Sequence, residues 1–561
     1  MTILTRGAVA KPGTSLDFKT GDWRLERPVH AHRSAPCHTG CPAGEDPQGY
    51  LARLAEGDPK AAWETLVEAN PLPAITGRVC HHPCEAACNR GQYDEPLAIH
   101  GVERTLGDQA IAGGWHYPLR APASGAARVA VVGAGPAGLS AAYQLIRLGY
   151  LVTLFEGESE AGGLLASAIP SYRLPRAVLR GELERLLSIG MTFMPRNRLG
   201  RDFMLDELRP DHRAIFLGVG NQRGRDWSVD GVVPRDSRPG LDILKEWLSI
   251  GSLPAYKSVA IIGGGNTAVD LARVLRFSGI PEVHIISYRA VPGPGVPVED
   301  AMRATAREVH QALDEGVIIH EHRGVRRLII RGERVAGVEM VHTKKLTRAA
   351  GRRETVEFEG TETIMHVEQV IPAVGQEVDP TGLEMLLRGH PFLHPDQWGR
   401  LENFDGIFAG GDVREGAATV SEAIGDGRRA AIAIDRYLRG AAMPALESNE
   451  VRFADLNANY FEHQPRAAIG MLAVAERNAE REIEQPLSLG QIETESRRCF
   501  SCGECMACDN CWTLCPDNAV LKTREIAAGG DHYVFDYDYC KGCGLCAHEC
   551  PVGYIAMQPE R

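Results

Sequence analysis

The residues with the most chemistry to offer in this sequence are its fifteen cysteines, and they are not scattered. Five fall between Cys37 and Cys88, as Cys37-x3-Cys41-Pro42 and Cys80-x3-Cys84-x3-Cys88. Ten fall between Cys499 and Cys550, and none lies between the two groups. Thiols so spaced can close on a metal or oxidise to disulfides. The opening MTILTRGAVAKPG has no apolar stretch of signal-peptide length, so nothing directs the chain to an oxidising compartment, and we expect a cytoplasmic protein with reduced thiols. Metal ligation is therefore expected at both groups. For the amino-terminal five, spacing alone leaves an iron–sulfur cluster and a four-thiolate zinc site both open.

Two further stretches place glycines where a phosphate could approach the backbone. RVAVVG reads as a buried strand that turns at Gly133-x-Gly135-x-x-Gly138 and runs into the helical spacing of SAAYQLIRLGY. Gly133 permits the tight turn, Gly135 lets backbone N–H groups reach a pyrophosphate, and Gly138 lets the helix pack close on the strand. The next strand, YLVTLFE, ends at Glu156, where such a fold places an acid against an adenosine ribose. The second copy runs from Ser258 through Gly263-Gly264-Gly265-Asn266-Thr267, with Ala268 in the third glycine's place. Its following strand, EVHIISYRA, carries no terminal acid and offers Arg289 beside Tyr288, which favours NADPH over NADH because a guanidinium can meet a 2′-phosphate. Two dinucleotides are implied.

These groups need a scaffold to bring them together. At 561 residues the chain exceeds a single core, and about 100–200 residues per domain implies several units. Hydrophobic residues at 44% and charged residues at 24% are those of a globular protein. A net charge of −12 leaves no broad basic face to track nucleic acid or an anionic membrane. The longest apolar-looking run, Val129 to Ile146, is broken by Gly, Pro, Ser and Gln, so no membrane span is expected. From 127 to 440, apolar runs alternate with helical stretches, the pattern of parallel-sheet α/β folding. Ahead of it we expect an extended arm at 1–27, a helical domain at 28–120 with thiols on its loops and two short helices split at Gly57-Asp58-Pro59, and a linker at 121–126. A helical or irregular connection at 441–495 and a compact Cys-rich α+β module at 496–561 follow.

In order and spacing, the middle of the chain resembles the flavoprotein reductases that interrupt an FAD domain with an NAD(P)H domain. The likeness rests on the two glycine turns, on EGESEAGGLL (156–165) with Ile169-Pro170, on FDGIFAGGD (404–412), and on Ala373-Val374-Gly375-Gln376. It implies two Rossmann-like domains, FAD at 127–255 and 377–440 around NAD(P)H at 256–376. It also implies that Gly163 and Leu164 contact FAD, that Asp412 after Gly411 bonds the ribitol chain, and that Ala418-Thr419-Val420 begins a helix aimed at the flavin ring. The chain would cross back at Gly375.

ANPLPAITGRVCHHPCEAACNRG, with the later PLAIHGVE, resembles the iron–sulfur domain of the glutamate synthase small subunit, shared by dihydropyrimidine dehydrogenase and NADH-dependent ferredoxin:NADP oxidoreductase. The likeness covers residues 35–440. That family carries a C-x2-C-x4-C run ending at the position of Cys37, and here Val29 and His32 stand where its first two Cys belong. By carry-over, Cys41, Cys80, Cys84 and Glu103 match one family cluster, whereas Cys37 and Cys88 keep half of another. One [4Fe–4S] cluster is expected in this domain. Which of Cys37, Cys88 and Glu103 completes Cys41, Cys80 and Cys84 stays open, and His32 reads first as a solvated side chain.

Cys505-x2-Cys508-x2-Cys511-x3-Cys515-Pro516 and Cys540-x2-Cys543-x2-Cys546-x3-Cys550-Pro551 are two copies of the bacterial ferredoxin run. In that run the fourth Cys serves the other cluster, giving Cys505, Cys508, Cys511 and Cys550 for one and Cys540, Cys543, Cys546 and Cys515 for its neighbour. Cys499 and Cys502 have no assigned role. Three clusters imply about twelve iron per chain. Hydride transfer between nicotinamide and flavin needs no general base, so no catalytic side chain is assigned. The resemblances imply an NAD(P)H:acceptor oxidoreductase that exchanges electrons through FAD and [4Fe–4S] clusters with a partner redox protein. The partner could be the glutamate synthase large subunit, a 2-oxoacid:ferredoxin oxidoreductase, a sulfur-metabolism reductase or a ferredoxin. Alternatives are the glutamate synthase small subunit proper, an electron-bifurcating or NADP+-reducing ferredoxin oxidoreductase subunit, and a non-catalytic redox scaffold.

Overall fold

The computed structural model describes residues 4–6, 19–119, 121, 125–229, 231–233, 237–332, 334–347, 353–414, 419–445, 449–523 and 532–560. The expected linker at 121–126 and Ala418 fall partly or wholly outside them.

Proline at the first helical turn starts each short helix of the amino-terminal unit, where the missing N–H costs nothing. Pro47–Ala55 and Pro59–Val67 are the expected pair. Asp46 accepts the Gly49 N–H at 2.7 Å and Asp58 the Ala61 N–H at 2.9 Å, each capping its helix. Tyr50, Leu54, Trp63 and Leu66 bury one face of the pair against Val102 and Leu106 of the helix Ile99–Ala112. The cysteines sit at the ends of shorter helices. Cys37 opens and Cys41 closes Pro36–Gly40, while Cys80 ends Pro73–Val79, and Cys84 and Cys88 bracket the end of Pro83–Ala86.

The two glycine turns each leave a parallel sheet. In the first, strands run in the order Ile407–Ala409, Ala214–Leu217, Arg128–Val132, Leu151–Phe155 and Thr192–Met194, all parallel. The strand Ile407–Ala409 thus joins a sheet begun more than 250 residues earlier. In the second sheet the order is Ile318–His320, Glu282–Ile286, Ser258–Ile262 and Gln369–Pro372, again parallel. A three-stranded antiparallel sheet, Arg323–Arg331, Arg334–Thr347 and Arg353–Met365, lies beside it. Ala214–Leu217 and Ser258–Ile262, inside their sheets, are buried along their whole length, as parallel strands covered on both faces are.

The described parts of the expected extended arm include strands paired with the last module. Leu4–Arg6 pairs antiparallel with Val520–Thr523, and Glu26–His30 pairs antiparallel with Ile555–Pro559, in register from Ile555 opposite His30 to Pro559 opposite Glu26. The first strands of the chain are edge strands of its last module, which they protect from open pairing. Among its described residues, the connection at 441–495 is irregular apart from three single-turn 3₁₀ helices and the start of Leu489–Ser496. It is tied down on both sides. Arg78 binds Glu482 at 2.7 Å, Tyr93 donates to Phe461 O at 2.6 Å, and Arg477 meets Glu315 of the second sheet's unit at 3.1 Å. Among the described residues no helix is long and apolar enough to cross a membrane.

Candidate functional site

A cleft of about 1990 Å³ lies between the two parallel-sheet units, larger than the roughly 300–1,000 Å³ of a pocket for one drug-sized ligand. Gly133, Gly135, Glu156, Gly163, Leu164, Gly411, Asp412 and Thr419 line it from the first unit; Gly263, Gly265, Asn266, Thr267, Arg289 and Gly375 line it from the second. Gly138 is not in the wall. A Cβ there would collide with Gly133 O, so this glycine brings helix onto strand.

At the first turn Gly133 has φ +100, and a Cβ on it would strike Gly218 O at 2.4 Å. Glu156 accepts the Ala134 N–H at 2.7 Å on one oxygen and the Glu158 N–H at 2.9 Å on the other. Each carboxylate oxygen keeps a lone pair for a ribose hydroxyl. The helix Val420–Arg439 points its N-terminus into the cleft: Thr419 Oγ1 accepts the Glu422 N–H at 3.3 Å, and Glu422 accepts the Thr419 N–H at 2.6 Å. The reciprocal cap leaves the remaining N–H groups available to an anion or an electron-rich ring edge. Asp426, not anticipated from sequence, accepts the Gly411 N–H at 2.9 Å and Arg429 at 2.5 Å, which fixes the turn carrying Asp412.

At the second turn Gly263 has φ +138, and a Cβ would lie 2.3 Å from Ala373 O. Asn266 Oδ1 accepts the Thr305 N–H at 3.1 Å, and Gln376 Nε2 donates to Thr267 Oγ1 at 3.1 Å. Arg289 Nη1 donates to Glu299 O at 2.6 Å and Ala301 O at 3.1 Å, while its buried Nε has no hydrogen-bond partner among the described residues. Lys345 Nζ stands 4.7 Å from the Tyr288 ring centre. Burial opposes ionisation of the Tyr288 phenol, but a hydrogen bond from Arg289 and the charges of Lys345, Arg289 and Arg303 outweigh it and hold its pKa below the usual value. An orphaned guanidinium N–H with two further cations fits a 2′-phosphate. Arg303 and Lys345 carried no signal in the sequence.

The helical unit forms another wall of the same cleft through Val79, His81 and Ala86. Asn266 Nδ2 lies 3.0 Å from His81 Nε2, and burial followed by the Arg173 charge lowers the His81 pKa, keeping the ring neutral. Next to it, Cys80 Sγ lies 3.4 Å from Ser421 Oγ. Cys41, Cys80 and Cys84 are buried with Glu103 and, unanticipated, Glu45. Asn70 Nδ2 donates to both carboxylates at 2.8 Å, and the Thr76 hydroxyl donates to Glu103. Burial and neighbouring acids push the Cys41 and Cys84 thiols well up and Cys80 to about 12, and burial raises Glu45 to about 7 against the hydrogen bonds it receives. Groups so placed release their protons only to a cation, and iron is one. Three thiols with a neighbouring carboxylate therefore fit the donor set of one cluster. Cys37 and Cys88 are not in this set; they face Cys499 and Cys502.

In the last module burial opposes ionisation of Cys505, Cys511, Cys515, Cys540 and Cys546. Cys550 and Cys508 add to it at Cys505, Cys515 and Cys543 at Cys540, and Cys540, Cys515 and Cys543 at Cys546. At Cys511 the added influences are Cys505, Cys546, Cys508 and Cys550, so the two expected sets lie against each other. His32 packs edge-on against the Tyr554 ring at 5.5 Å. Among the described residues, no three Cys, His, Asp or Glu are arranged to hold a single metal ion. A [4Fe–4S] cluster, with one thiolate on each of four irons, asks for wider spacing than the about 2.3 Å Zn–S bonds of one zinc.

Residues 127–427 match the pyridine nucleotide-disulphide oxidoreductase family. Residues 26–115 match dihydropyrimidine dehydrogenase domain II, 4Fe-4S cluster, and residues 504–554 match the 4Fe-4S dicluster domain. The chain is 36% identical to the NADP(+)-dependent formate dehydrogenase subunit beta of Moorella thermoacetica, over 84% of this chain and 70% of that one. It is 30% identical to the NADPH-Fe(3+) oxidoreductase subunit beta of Geobacter sulfurreducens, over 87% and 78%. To the glutamate synthase [NADPH] small chain of Mycobacterium tuberculosis it is 32% identical, over 73% and 87%.

Proposed function

The chain belongs to the pyridine nucleotide-disulphide oxidoreductase family, and on that footing we propose that it exchanges electrons between NADPH and a partner redox subunit. It is an NAD(P)H-dependent iron–sulfur flavoprotein oxidoreductase with FAD and [4Fe–4S] clusters as cofactors. The observation that carries the reading is the shared wall. The loop holding Cys80 and His81 reaches Ser421 of the first unit and Asn266 of the second, so this loop, through Val79 and His81, and both glycine turns border one cleft.

Bound flavin supplies the exchange between a paired-electron hydride donor and one-electron iron–sulfur acceptors. The chain's part is to bind, orient and exclude. Gly133, Gly135 and Glu156 would hold the FAD adenosine and pyrophosphate; Gly163, Leu164, Gly411, Asp412 and Thr419 would hold its flavin half. Gly263, Gly265, Asn266, Thr267 and Gly375 would seat NADPH, with Arg289 and Arg303 on its 2′-phosphate. Cys41, Cys80 and Cys84 with Glu103 or Glu45 would hold the first cluster. Neutral His81 adds no charge beside it.

Relatives named as beta subunits and small chains support a partner subunit. A dehydrogenase subunit is the first choice, because the formate dehydrogenase relative is 36% identical to this chain, against 30% for the NADPH-Fe(3+) oxidoreductase subunit and 32% for the glutamate synthase small chain. We infer a cytoplasmic location, because thiols that hold clusters must stay reduced. Anaerobically purified chain should be coloured, bleach on adding NADPH faster than on adding NADH, and reduce a viologen. Colourless protein, or colour untouched by either nucleotide, overturns the reading.

A further inference from the structure

Cys499 and Cys502 belong to no run that the families above explain, and Cys37 and Cys88 are left over from the first cluster set. We propose that these four thiols hold a further [4Fe–4S] cluster, assembled between the two ends of the chain. It needs only iron–sulfur chemistry and does not depend on which nucleotide is the donor.

The packing brings the four together. Cys37 packs against the cluster of Ala35, Val451, Phe500 and Cys502, and Cys37, Cys88 and Cys499 all lie against the main core. Asn89, next to Cys88, donates from Nδ2 to Val451 O at 2.9 Å and to Cys502 Sγ at 3.5 Å. Arg90 bonds Arg498 O and sets its guanidinium 4.9 Å from the Phe500 ring centre. Arg498 in turn donates to Glu95 O at 2.8 Å. The loop after Cys88 therefore clamps the segment on both sides of Cys499. Electrostatics agree: after burial, the largest influences opposing ionisation of Cys37 are Cys499, Cys88 and Cys502.

The fold also accounts for the missing upstream pair. Val29 lies opposite Ala556 in the last module's strand pair, and the His32 ring rests on Tyr554. That stretch has been taken as an edge strand, and the positions that would have carried two thiols face a different unit. Cys499 and Cys502, also a C-x2-C with two residues between them, supply the pair from the other end. Loading a [4Fe–4S]2+ cluster would form four Fe–S bonds and release the four thiol protons.

The position suits a relay. Cys37 and Cys41 bracket one short helix and Cys84 and Cys88 another, so the new set shares both helices with Cys41, Cys80 and Cys84. On its other side Cys502 stands three residues before Cys505. The sites form a row from the cleft to the terminal module.

Full-length chain reconstituted anaerobically with iron and sulfide should hold about sixteen iron, four per cluster. A Cys499→Ala, Cys502→Ala double variant should hold about four fewer with its flavin content unchanged. An iron-to-flavin ratio that does not move between the two proteins overturns the proposal, as does zinc in place of those four irons. Should the double variant lose its flavin, the wild-type count decides: sixteen upholds the cluster, and twelve or fewer removes it.

Discussion

Cys80 Sγ lies 3.4 Å from Ser421 Oγ, and Ser421 Oγ lies 3.2 Å from Thr419 Oγ1, the cap of the helix that faces the cleft. A cluster thiolate here would accept a hydrogen bond from a side chain of the flavin unit. Such a bond favours the more negative, reduced cluster and raises its potential. Ser421→Ala should leave flavin and iron content intact and move one cluster's midpoint to more negative potential. A lost bond of about 1.5 kcal/mol corresponds to roughly 60 mV for a one-electron couple, an upper bound on the shift. Redox titration followed by electron paramagnetic resonance reads it, and unchanged midpoints would detach Ser421 from the site.

The cationic corner should set nucleotide choice. Arg303 is exposed and lines the cleft, so its removal disturbs no buried contact; Arg289 is also held by Glu299 O and Ala301 O. Arg303→Ala is expected to raise KM for NADPH about tenfold, the value of a charge-assisted bond of about 1.5 kcal/mol, and to leave KM for NADH within twofold. Equal effects on both nucleotides would mean that the 2′-phosphate lies elsewhere.

The parts legible in the sequence were those with short-range chemistry. Glycine turns need φ values that Gly133 and Gly263 show, and the strands before them are apolar because both faces are buried. The two cysteine runs of the last module stand out by their repeated spacing. What stayed hidden was long-range. Nothing local marks Glu26–His30 as the partner of Ile555–Pro559, since its alternation suits any half-buried edge. Glu45 reads as an ordinary surface acid until the fold closes over it, and Lys345 reaches Tyr288 only because an antiparallel sheet returns it there. Val29 and His32 read as a lost thiol pair, and the thiols proposed to replace it lie more than 450 residues away.

The two parallel-sheet units are joined by buried charge. Arg173, from the first unit, meets Asp270 at 2.7 Å and Glu308 at 3.2 Å in the second; Arg273 meets Glu315 at 2.7 Å, bonds Glu308, and lies 4.4 Å from the Tyr172 ring centre. Arg273 is fully buried. Arg273→Met keeps much of the volume and takes one of two arginines from each of two buried carboxylates, leaving Glu308 with Arg173 and Glu315 with Arg477, which costs about 1–3 kcal/mol. Melting should come several degrees earlier, with flavin released in the same transition. A variant that melts with wild type would show that the carboxylates find other partners.

Two histidines give the second unit a pH-dependent stability with a definite sign. His284 Nδ1 lies 3.1 Å from His320 Nε2 across neighbouring parallel strands. Burial lowers both pKa values below 6.5, and for His320 the His284 and Arg323 charges add to it. One ring donates and the other accepts only while at least one is neutral. Below pH 6.5 the unfolded chain binds protons that the folded pair refuses, so stability present above that pH is lost as pH falls toward the lowered values. Between pH 7.5 and 5.5 the melting temperature of wild type should therefore fall further than that of a His284→Asn, His320→Gln variant, whose amides keep a donor and an acceptor but do not titrate. Other groups act equally in both proteins, so the difference between the two slopes isolates the pair, and parallel slopes would assign the acid sensitivity elsewhere.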